Sequence, residues 1–266
     1  MSAYKMPNRI QDSNKGTFGK VLNFAGCKNY IGAAYLSSIS PLKVGAGFVA
    51  LSTEKEVVKS VSTLLPEAVY LTRKEGVNNI QDYSVVLLGC GLGLEKKSID
   101  LVKKVFNKIE NKPIVIDADA LNIIAKNKLT VPKNSIITPH PLEAARLLCV
   151  DLDTVLNDLE NSAKQLAKKY KCIVVLKNHR TIICDIDKYY VNQCGNSALA
   201  KAGTGDVLAG IIAGLIAQKM DLFEAAKLGV YLHARSGEIA SEEYSEFSVL
   251  ASELPFFVHK AIKELI

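Results

Sequence analysis

The 266-residue sequence contains no tryptophan, no CxxC cysteine pair and no apolar run long enough to cross a bilayer. Its longest apolar run, Val207 to Ala217, is far shorter than the roughly 20 residues that a membrane-spanning helix needs. The first residues include no apolar stretch of signal-peptide length, and the six cysteines lack metal-binding spacings. These absences predict a cytoplasmic protein with reduced thiols and no membrane partner.

Several catalytic motifs are also missing. The sequence has no G-x-x-x-x-G-K-[ST], no H-E-x-x-H and no G-x-S-x-G, which excludes P-loop, zincin and nucleophile-elbow enzymes. The 33 basic and 27 acidic residues give a net charge of +6, which suits phosphorylated small molecules. No basic stripe is interleaved with aromatics, so a nucleic-acid partner is not expected. The pairs Lys96-Lys97 and Lys103-Lys104 are predicted to lie on solvated helix faces.

The hydrophobic pattern predicts an α/β fold with a mostly parallel central sheet flanked by helices. Nine short, β-branched runs are typical of strands: Val21–Ala25, Phe48–Leu51, Val69–Leu71, Val85–Leu88, Ile114–Ile116, Ile136–Ile137, Ile173–Leu176, Thr181–Cys184 and Tyr189–Val191. The last three follow one another through short turns and predict a small antiparallel meander. Three helical patterns cover Ser98–Glu110, Val155–Tyr170 and Phe223–Ile239, and the chain after Asn192 is predicted to be helical. We expect one domain, residues 1–266, with a short extension over residues 1–14.

The strongest local motif is Gly203-Thr-Gly-Asp206, which leads directly into the apolar run. Free amides at a helix start bind anions, and glycines leave room for a phosphate. Asp206 could then face a hydroxyl that attacks the phosphate and accept its proton. The alternative is a glycine turn with Asp206 as helix cap. Within the apolar run, Gly210 and Gly214 are expected to let the helix approach the sheet closely.

Two further motifs follow predicted strands. Gly89-Cys-Gly-Leu-Gly93 with Asp117 imitates a dinucleotide fingerprint, but Leu94 replaces its last glycine and Asp117 lies too far along the chain. Asp117, Asp119 and Asn122 could orient water or Mg²⁺ around phosphates, or Asp119 could simply cap a helix.

Two loops carry possible ligand contacts. His140 is held between Pro139 and Pro141, so its ring has either a fixed functional position or a structural one. Lys177-Asn-His-Arg-Thr181 offers donors to a nucleotide, or is only a polar hairpin turn. The two helical histidines His233 and His259 are predicted to be core or surface residues.

Taken in order, the motifs resemble those of the ADP-dependent (S)-NAD(P)H-hydrate dehydratase family. The resemblance runs from about Lys15 to Glu253, and its motifs are specific together rather than singly. They are Lys15–Gly19, Gly26, Gly32–Ala34, Gly45–Gly47, Leu65–Glu67, Gly89–Gly93, Asp117–Asn122, Thr138–Pro141, Val175–Thr181 and Asn196–Asp206. It implies a ribokinase-like fold and a hydro-lyase that repairs hydrated NADH and NADPH by phosphorylating the ring hydroxyl and expelling phosphate.

The resemblance also implies roles for individual residues. Asp206 would deprotonate or orient the ring hydroxyl, while Gly203, Thr204 and Gly205 would form the anion hole. The implied contacts with the hydrate are Ala34, Gly91, His140 and Asp206, and those with the nucleotide are Lys177, Asn178, His179, Arg180, Thr181 and Gly205. Mg²⁺ would bridge the phosphates of ADP, the consumed phosphoryl donor, with Asn122 contributing indirectly. The expected partners are an NAD(P)H-hydrate epimerase, for which these 266 residues have no room, and further copies of the chain in a homo-oligomer such as a tetramer.

The sequence departs from the family pattern at four positions. Asn178 and Ala202 replace common glycines, and Cys90 replaces a common proline. Pro41 falls within an expected helix, where it should kink the helix or remove a hydrogen bond near Ser37. Three alternative functions stay open at this point: a ribokinase-like small-molecule kinase, a non-catalytic nucleotide sensor and a Rossmann dehydrogenase.

Overall fold

A computed structural model describes residues 4–266, and a single nine-stranded sheet forms its centre. The strands are β1 Lys20–Phe24, β2 Phe48–Thr53, β3 Val69–Thr72, β4 Val85–Leu88, β5 Ile114–Ile116, β6 Ser135–Ile137, β7 Ile173–Leu176, β8 Ile182–Cys184 and β9 Tyr189–Val191. All nine predicted strands are confirmed to within two residues at each end. The four strands β4 to β7 are buried throughout, as continuous apolar runs require when helices cover both faces.

The strand order is β3-β2-β1-β4-β5-β6-β7-β8-β9. Pairings from β3 through β7 are parallel, whereas β7–β8 and β8–β9 are antiparallel. This confirms the mostly parallel sheet and its antiparallel meander. The winding direction reverses between β1 and β4, which opens a crevice at the carboxyl edge of the sheet, the usual ligand position in such folds.

Eleven α-helices occur within residues 4–266. They are α1 Ile31–Lys43, α2 Lys55–Val61, α3 Arg73–Asn78, α4 Lys96–Lys108, α5 Asp119–Asn127, α6 Pro141–Leu148, α7 Leu152–Asn157, α8 Leu159–Tyr170, α9 Thr204–Ala217, α10 Leu222–Tyr244 and α11 Leu254–Lys263. None of them is both long and apolar enough to cross a membrane. The pattern over 155–170 predicted one helix, but Asp158 interrupts it: its backbone leaves the helical region, and its side chain accepts a hydrogen bond from the Asn161 amide to start α8.

The glycines of α9 do not face the sheet, so that prediction was wrong. A Cβ on Gly210 would lie 2.8 Å from Ser40 Cβ, and one on Gly214 would lie 2.7 Å from Pro41 Cα, so both glycines pack against α1. The sequence shows that a close approach occurs, but not which element approaches. As predicted, Pro41 lies inside a helix. Proline has no amide hydrogen to donate, and this part of α1 is where α9 packs.

The chain before β1 packs on the folded body from Tyr4 onward. The Tyr4 ring stacks on Tyr231 of α10 at 4.0 Å, and its hydroxyl bonds that of Tyr190 in β9. Further along, the Arg9 guanidinium donates to the Gly45 carbonyl at 2.8 Å. The predicted extension therefore contacts β9, α10 and the α1–β2 turn within residues 4–14, and its first three positions lie outside the described residues.

Candidate active site

The glycine motif forms a sharp entry into α9. Gly203 has φ = +93°, and a Cβ there would lie 2.6 Å from Leu36 Cδ1, so the position requires glycine. The Thr204 hydroxyl donates to the carbonyls of Leu199 and Lys201 at 2.9 Å and fixes the turn. The amides of the first helical turn therefore face outward without helical acceptors, at the positive end of the helix dipole. This arrangement binds anions.

Asp206 lies in that first turn and faces Cys90 and Asp117. One ligand atom from each of the three side chains lies within 4.8 Å of the others. Burial, together with the nearby Asp117 carboxylate, raises the pKa of Asp206 to about 7, although a hydrogen bond with the Cys90 thiol acts in the opposite direction. A carboxylate with this pKa can accept a proton near neutral pH.

A buried ion pair crosses from β5 to β7. Lys177 Nζ lies 2.8 Å from Asp117 Oδ1, and the Asp117 side chain is 2 % exposed. Burial lowers the pKa of Lys177, but the carboxylates of Asp117 and Glu143 outweigh it and raise the pKa overall. A Cβ on Gly205 would lie 3.3 Å from Lys177 Nζ, so the ammonium group lies directly beside the helix start. The Lys177 ammonium group and the positive end of the α9 dipole therefore produce positive potential at the same point.

His140 has a structural contact as well as a position in the site. Its Nδ1 accepts hydrogen bonds from the amides of Leu142 and Glu143, while Glu143 Oε2 accepts from the His140 amide at 2.9 Å. These bonds form a capping box for α6. Burial lowers the pKa of His140, and burial raises that of Glu143 to about 7. Because Nδ1 accepts these bonds, the ring is neutral and Nε2 carries its proton, 3.5 Å from Glu143 Oε1.

A cavity of about 920 Å³ opens beside the helix start. Seven of the predicted residues line it, namely His140, Lys177, Asn178, His179, Thr181, Thr204 and Gly205. Arg180 does not line it, because its guanidinium donates to the Gln193 carbonyl and side-chain oxygens instead.

The same cavity contains residues to which the sequence assigned no individual role. Asn192, Asn196 and Glu246 contribute polar groups, and Leu208 contributes an apolar wall. His233 on α10 also lines it, with burial lowering its pKa to about 4 and with Nε2 unpaired among residues 4–266. These residues lie far apart in sequence, and only the fold brings them together.

Gly91 and Ala34 lie where the loop after β4 meets the loop after β1 and the start of α1. Gly91 has φ = +61°, and a Cβ there would lie 2.6 Å from Tyr30 Cβ, so the β4 loop touches the start of α1. The Gly26 amide donates to the Cys90 carbonyl at 2.8 Å, and a Cβ on Gly26 would lie 2.8 Å from Ala34 Cβ. Gly91 and Ala34 are both buried at this contact between the loops after β1 and β4. We call this part of the crevice the Gly91–Ala34 compartment.

The polar side chains of the loop after β5 make different contacts. Asp119 Oδ2 accepts from the Gly93 amide at 2.7 Å, so Asp119 ties two loops together and does not cap α5 with its side chain. The Asn122 oxygen accepts from Arg146 at 2.7 Å, on the α6 side of this loop. The carboxylates of Asp117 and Asp206 are the oxygen ligands that lie together, and Mg²⁺ is usually held by one or two carboxylates plus phosphates.

Comparison with known proteins shows the family to which this chain belongs. The NAD(P)H-hydrate dehydratase family model matches residues 21–257. The ADP-dependent (S)-NAD(P)H-hydrate dehydratase of Neisseria meningitidis is 36 % identical, with 88 % of this chain and 81 % of that protein covered. The chain is also 34 % identical to the bifunctional NAD(P)H-hydrate repair enzyme of Thermofilum pendens, over 98 % of this chain but only 53 % of that protein, so it spans about half of such relatives.

Solved structures agree. The ADP/ATP-dependent NAD(P)H-hydrate dehydratase of Bacillus subtilis, co-crystallised with ATP and Mg²⁺, superposes with a TM-score of 0.89 at 32 % identity, covering 98 % of this chain and 95 % of that one. A ribokinase-like superfamily protein of Enterococcus faecalis gives 0.90 at 28 % identity, covering 98 % and 92 %. The fold is therefore ribokinase-like, and with its sheet, glycine helix start and two-sided crevice, the chain belongs to the NAD(P)H-hydrate dehydratase family.

Proposed function

We propose that this protein converts the S epimers of hydrated NADH and NADPH back to the working cofactors, with ADP as phosphoryl donor. The observation that carries the proposal is the position of Asp206. It lies in the first turn of α9 with a pKa of about 7, next to Gly205, which lines the cavity of about 920 Å³, and against Cys90, the chain neighbour of Gly91. A base at that junction can serve an acceptor on one side and a phosphate on the other.

The first step is phosphoryl transfer. Asp206 accepts the proton of the ring hydroxyl as its oxygen attacks the terminal phosphorus of ADP, and AMP leaves. The amides of the Gly203–Gly205 turn and the Lys177 ammonium stabilise the charge on the transferring group. Asp117 holds Lys177 at 2.8 Å and so keeps that charge in place.

The second step is elimination. Hydroxide is a poor leaving group, whereas phosphate is a good one. The lone pair of the ring nitrogen expels phosphate, and loss of a proton from the adjacent ring carbon restores the double bond. The sum is hydrate plus ADP giving NAD(P)H, AMP and phosphate, which classifies the enzyme as a hydro-lyase.

The proposal assigns the cavity of about 920 Å³ to the nucleotide and the Gly91–Ala34 compartment to the hydrate. His140 would contact the hydrate from the cavity side, and Lys177, Asn178, His179, Thr181 and Gly205 would contact the nucleotide. Arg180 would act through Gln193, which its guanidinium bonds. Mg²⁺ would neutralise charge on the phosphates, with Asp117 and Asp206 as the carboxylates in reach and Asn122 contributing indirectly.

The test is turnover of the purified S hydrate of NADH with Mg²⁺ and either ADP or ATP. Recovery of NADH absorbance in step with AMP or ADP formation is the expected result. A stable phosphorylated product without NADH would instead indicate a small-molecule kinase, and nucleotide binding without turnover would indicate a sensor. Asp206→Asn should abolish turnover while nucleotide still binds, and a near-normal rate would remove Asp206 from the base role.

The proposal also covers the oligomeric state of the protein and its location in the cell. Phe247 is 94 % exposed and Leu250 is 55 % exposed on the segment before α11, an apolar surface that favours association into a homo-oligomer such as a tetramer. Light scattering of the full chain tests this. We place the enzyme in the cytoplasm, where its six free cysteines stay reduced, with an NAD(P)H-hydrate epimerase as functional partner.

A further inference from the structure

A second cavity, of about 910 Å³, lies outside the nucleotide site. It forms a groove between α3 and α4 that begins at the carboxyl ends of β2 and β3. Six of its lining side chains are basic, Lys55, Arg73, Lys74, Lys97, Lys104 and Lys108, against one acid, Glu54. We call it the basic groove.

Most of this positive charge is not neutralised. Glu54 pairs with Arg73 at 3.4 Å and with Lys97 at 2.8 Å. Within residues 4–266, no ion pair forms at the remaining four, Lys55, Lys74, Lys104 and Lys108. Four unpaired ammonium groups around one concave surface concentrate positive potential there and attract an anion.

Arg73 is a second, independent observation at this groove. Its side chain is 15 % exposed, and Nε and Nη1 are buried without hydrogen-bond acceptors among the described residues. Buried donors in proteins are normally hydrogen-bonded, so these two are available to an anionic acceptor. The groove also has an apolar part, formed by Val77 and Leu101. Its lining therefore suits a ligand with both phosphates and an apolar ring system.

The basic groove begins next to the hydrate compartment. Arg73 Nη2 donates to the Gly26 carbonyl at 3.0 Å, while the Gly26 amide donates to the Cys90 carbonyl beside Gly91. Tyr30, 55 % exposed, lies against Gly91, where a Cβ would be 2.6 Å from Tyr30 Cβ, and none of Arg73, Gly26, Cys90 and Gly91 lines the nucleotide cavity. The contacts that join the groove to Gly91 therefore lie outside that cavity.

We propose that the basic groove binds the adenosine half of the hydrated dinucleotide, with its phosphates. The inference rests on the proposed function, because that function places the nicotinamide half at Asp206 and Gly91. The dinucleotide carries two phosphates between its halves and an adenine at its far end, and the NADP form carries a third phosphate. Its charges match the ammonium groups, and its adenine matches the apolar surface of Val77 and Leu101.

The test removes two unpaired charges and compares two substrates. K74Q/K104Q should raise KM for the S hydrate of NADH about tenfold, as expected for two partly solvated charge contacts, and leave kcat unchanged. KM for the hydrate of reduced nicotinamide mononucleotide, which lacks the adenosine half, should not change. The control is K96Q/K103Q, which removes the same charge from exposed positions of α4 outside the groove and should change neither KM.

A binding experiment separates this proposal from the proposed function. ADP-ribose is titrated into full-length protein already saturated with ADP, and K74Q/K104Q should weaken its binding about tenfold, with K96Q/K103Q unchanged. If the wild type turns over no hydrate but this difference persists, the proposed function fails and the groove remains an adenosine diphosphate site. Equal responses of both hydrates, an unaffected ADP-ribose affinity, or equally tight binding of inorganic pyrophosphate would each overturn the groove assignment.

Discussion

Cys90 controls the protonation of the proposed base. Its thiol is fully buried and hydrogen-bonds Asp206, which lowers the pKa of that carboxyl against the effects of burial and Asp117. Cys90→Ala removes the bond, so the pKa of Asp206 should rise. Because the base works only when ionised, the acidic limb of the kcat–pH profile should move to higher pH in this variant.

The matched variant is Cys90→Ser, which keeps a donor in nearly the same volume. Its acidic limb should stay close to that of the wild type. Full pH profiles of all three proteins are the measurement, because a merely structural role for Cys90 would lower the rate equally at every pH. A profile of Cys90→Ala with an unmoved limb contradicts the proposed control.

The ionised form of Asp206 also lowers the free energy of unfolding. Burial raises its pKa from 3.8 to about 7, so the folded state holds a proton that the unfolded state has lost over that range. The stabilising effect is complete at low pH and is lost as the pH rises through 7. Above pH 7 the ionised carboxylate therefore destabilises the fold.

Asp206→Asn should consequently be inactive and more stable at pH 8, by about 1–2 kcal/mol. The difference in Tm between the variant and the wild type should shrink toward pH 4, where Asp206 is protonated. Thermal unfolding at the two pH values checks this. A variant that is less stable than the wild type at pH 8 would show that Asp206 is held by favourable contacts rather than strained by burial.

The glycine motif and the histidine loop could be located from sequence because their chemistry is local. Gly203 and Asp206 are neighbours in the chain, and the two prolines around His140 are visible in the sequence. The pair Asp117–Lys177 joins residues 60 positions apart, and Glu143 matters only because it folds back on His140. His233 carries no sequence signal for function, since an apolar helix also accommodates a structural histidine.

At the scale of elements, the contact between α1 and α9 depends on bare glycines. Gly214→Ala places a Cβ 2.7 Å from Pro41 Cα and 2.5 Å from Val44 Cγ2, and backbone cannot yield as a flexible side chain can. Alanine is the better helix former by about 1 kcal/mol, but overpacking costs about 1–3 kcal/mol. We expect a net loss of about 1 kcal/mol of unfolding free energy.

Gly32→Ala is the control on α1. A Cβ there meets nothing within 4 Å, so the substitution should be neutral or stabilise by about 0.5 kcal/mol. Urea denaturation of both variants gives the comparison. If Gly214→Ala is as stable as Gly32→Ala, α1 and α9 separate at little cost and the close packing does not matter.

Strands were predicted better than helix contacts for a physical reason. A buried parallel strand such as Val85–Leu88 needs continuous apolar residues, and the sequence shows them directly. The interruption at Asp158 was missed because Val155, Leu159 and Ala163 continue a helical period through it. The predicted packing partner of Gly210 and Gly214 was wrong, because a hydrophobic period shows that a helix face is covered but not which element covers it.

At the scale of the whole molecule, the segment before β1 joins regions that are distant in sequence. Tyr4 contacts β9 and α10 through Tyr190 and Tyr231, and Arg9 lies over the Phe18 ring at 3.9 Å while its guanidinium bonds Gly45 between α1 and β2. The segment thus runs from the meander end of the sheet to the α1–β2 turn. We infer that it stabilises the packing of both regions together.

Tyr4→Ala should lower the unfolding free energy by about 1–3 kcal/mol, because it removes the ring stack on Tyr231 and the hydroxyl bond to Tyr190. Tyr4→Phe keeps the stack and should lose only about 1 kcal/mol. None of Tyr4, Tyr190 and Tyr231 lines the nucleotide cavity, so turnover at low temperature should be unchanged in both variants. Thermal unfolding orders the three proteins, and the expected order is wild type, Tyr4→Phe, Tyr4→Ala. Three equal melting temperatures would contradict the inference. They would mean that the contacts of this segment at Tyr190 and Gly45 add nothing to the stability of the fold.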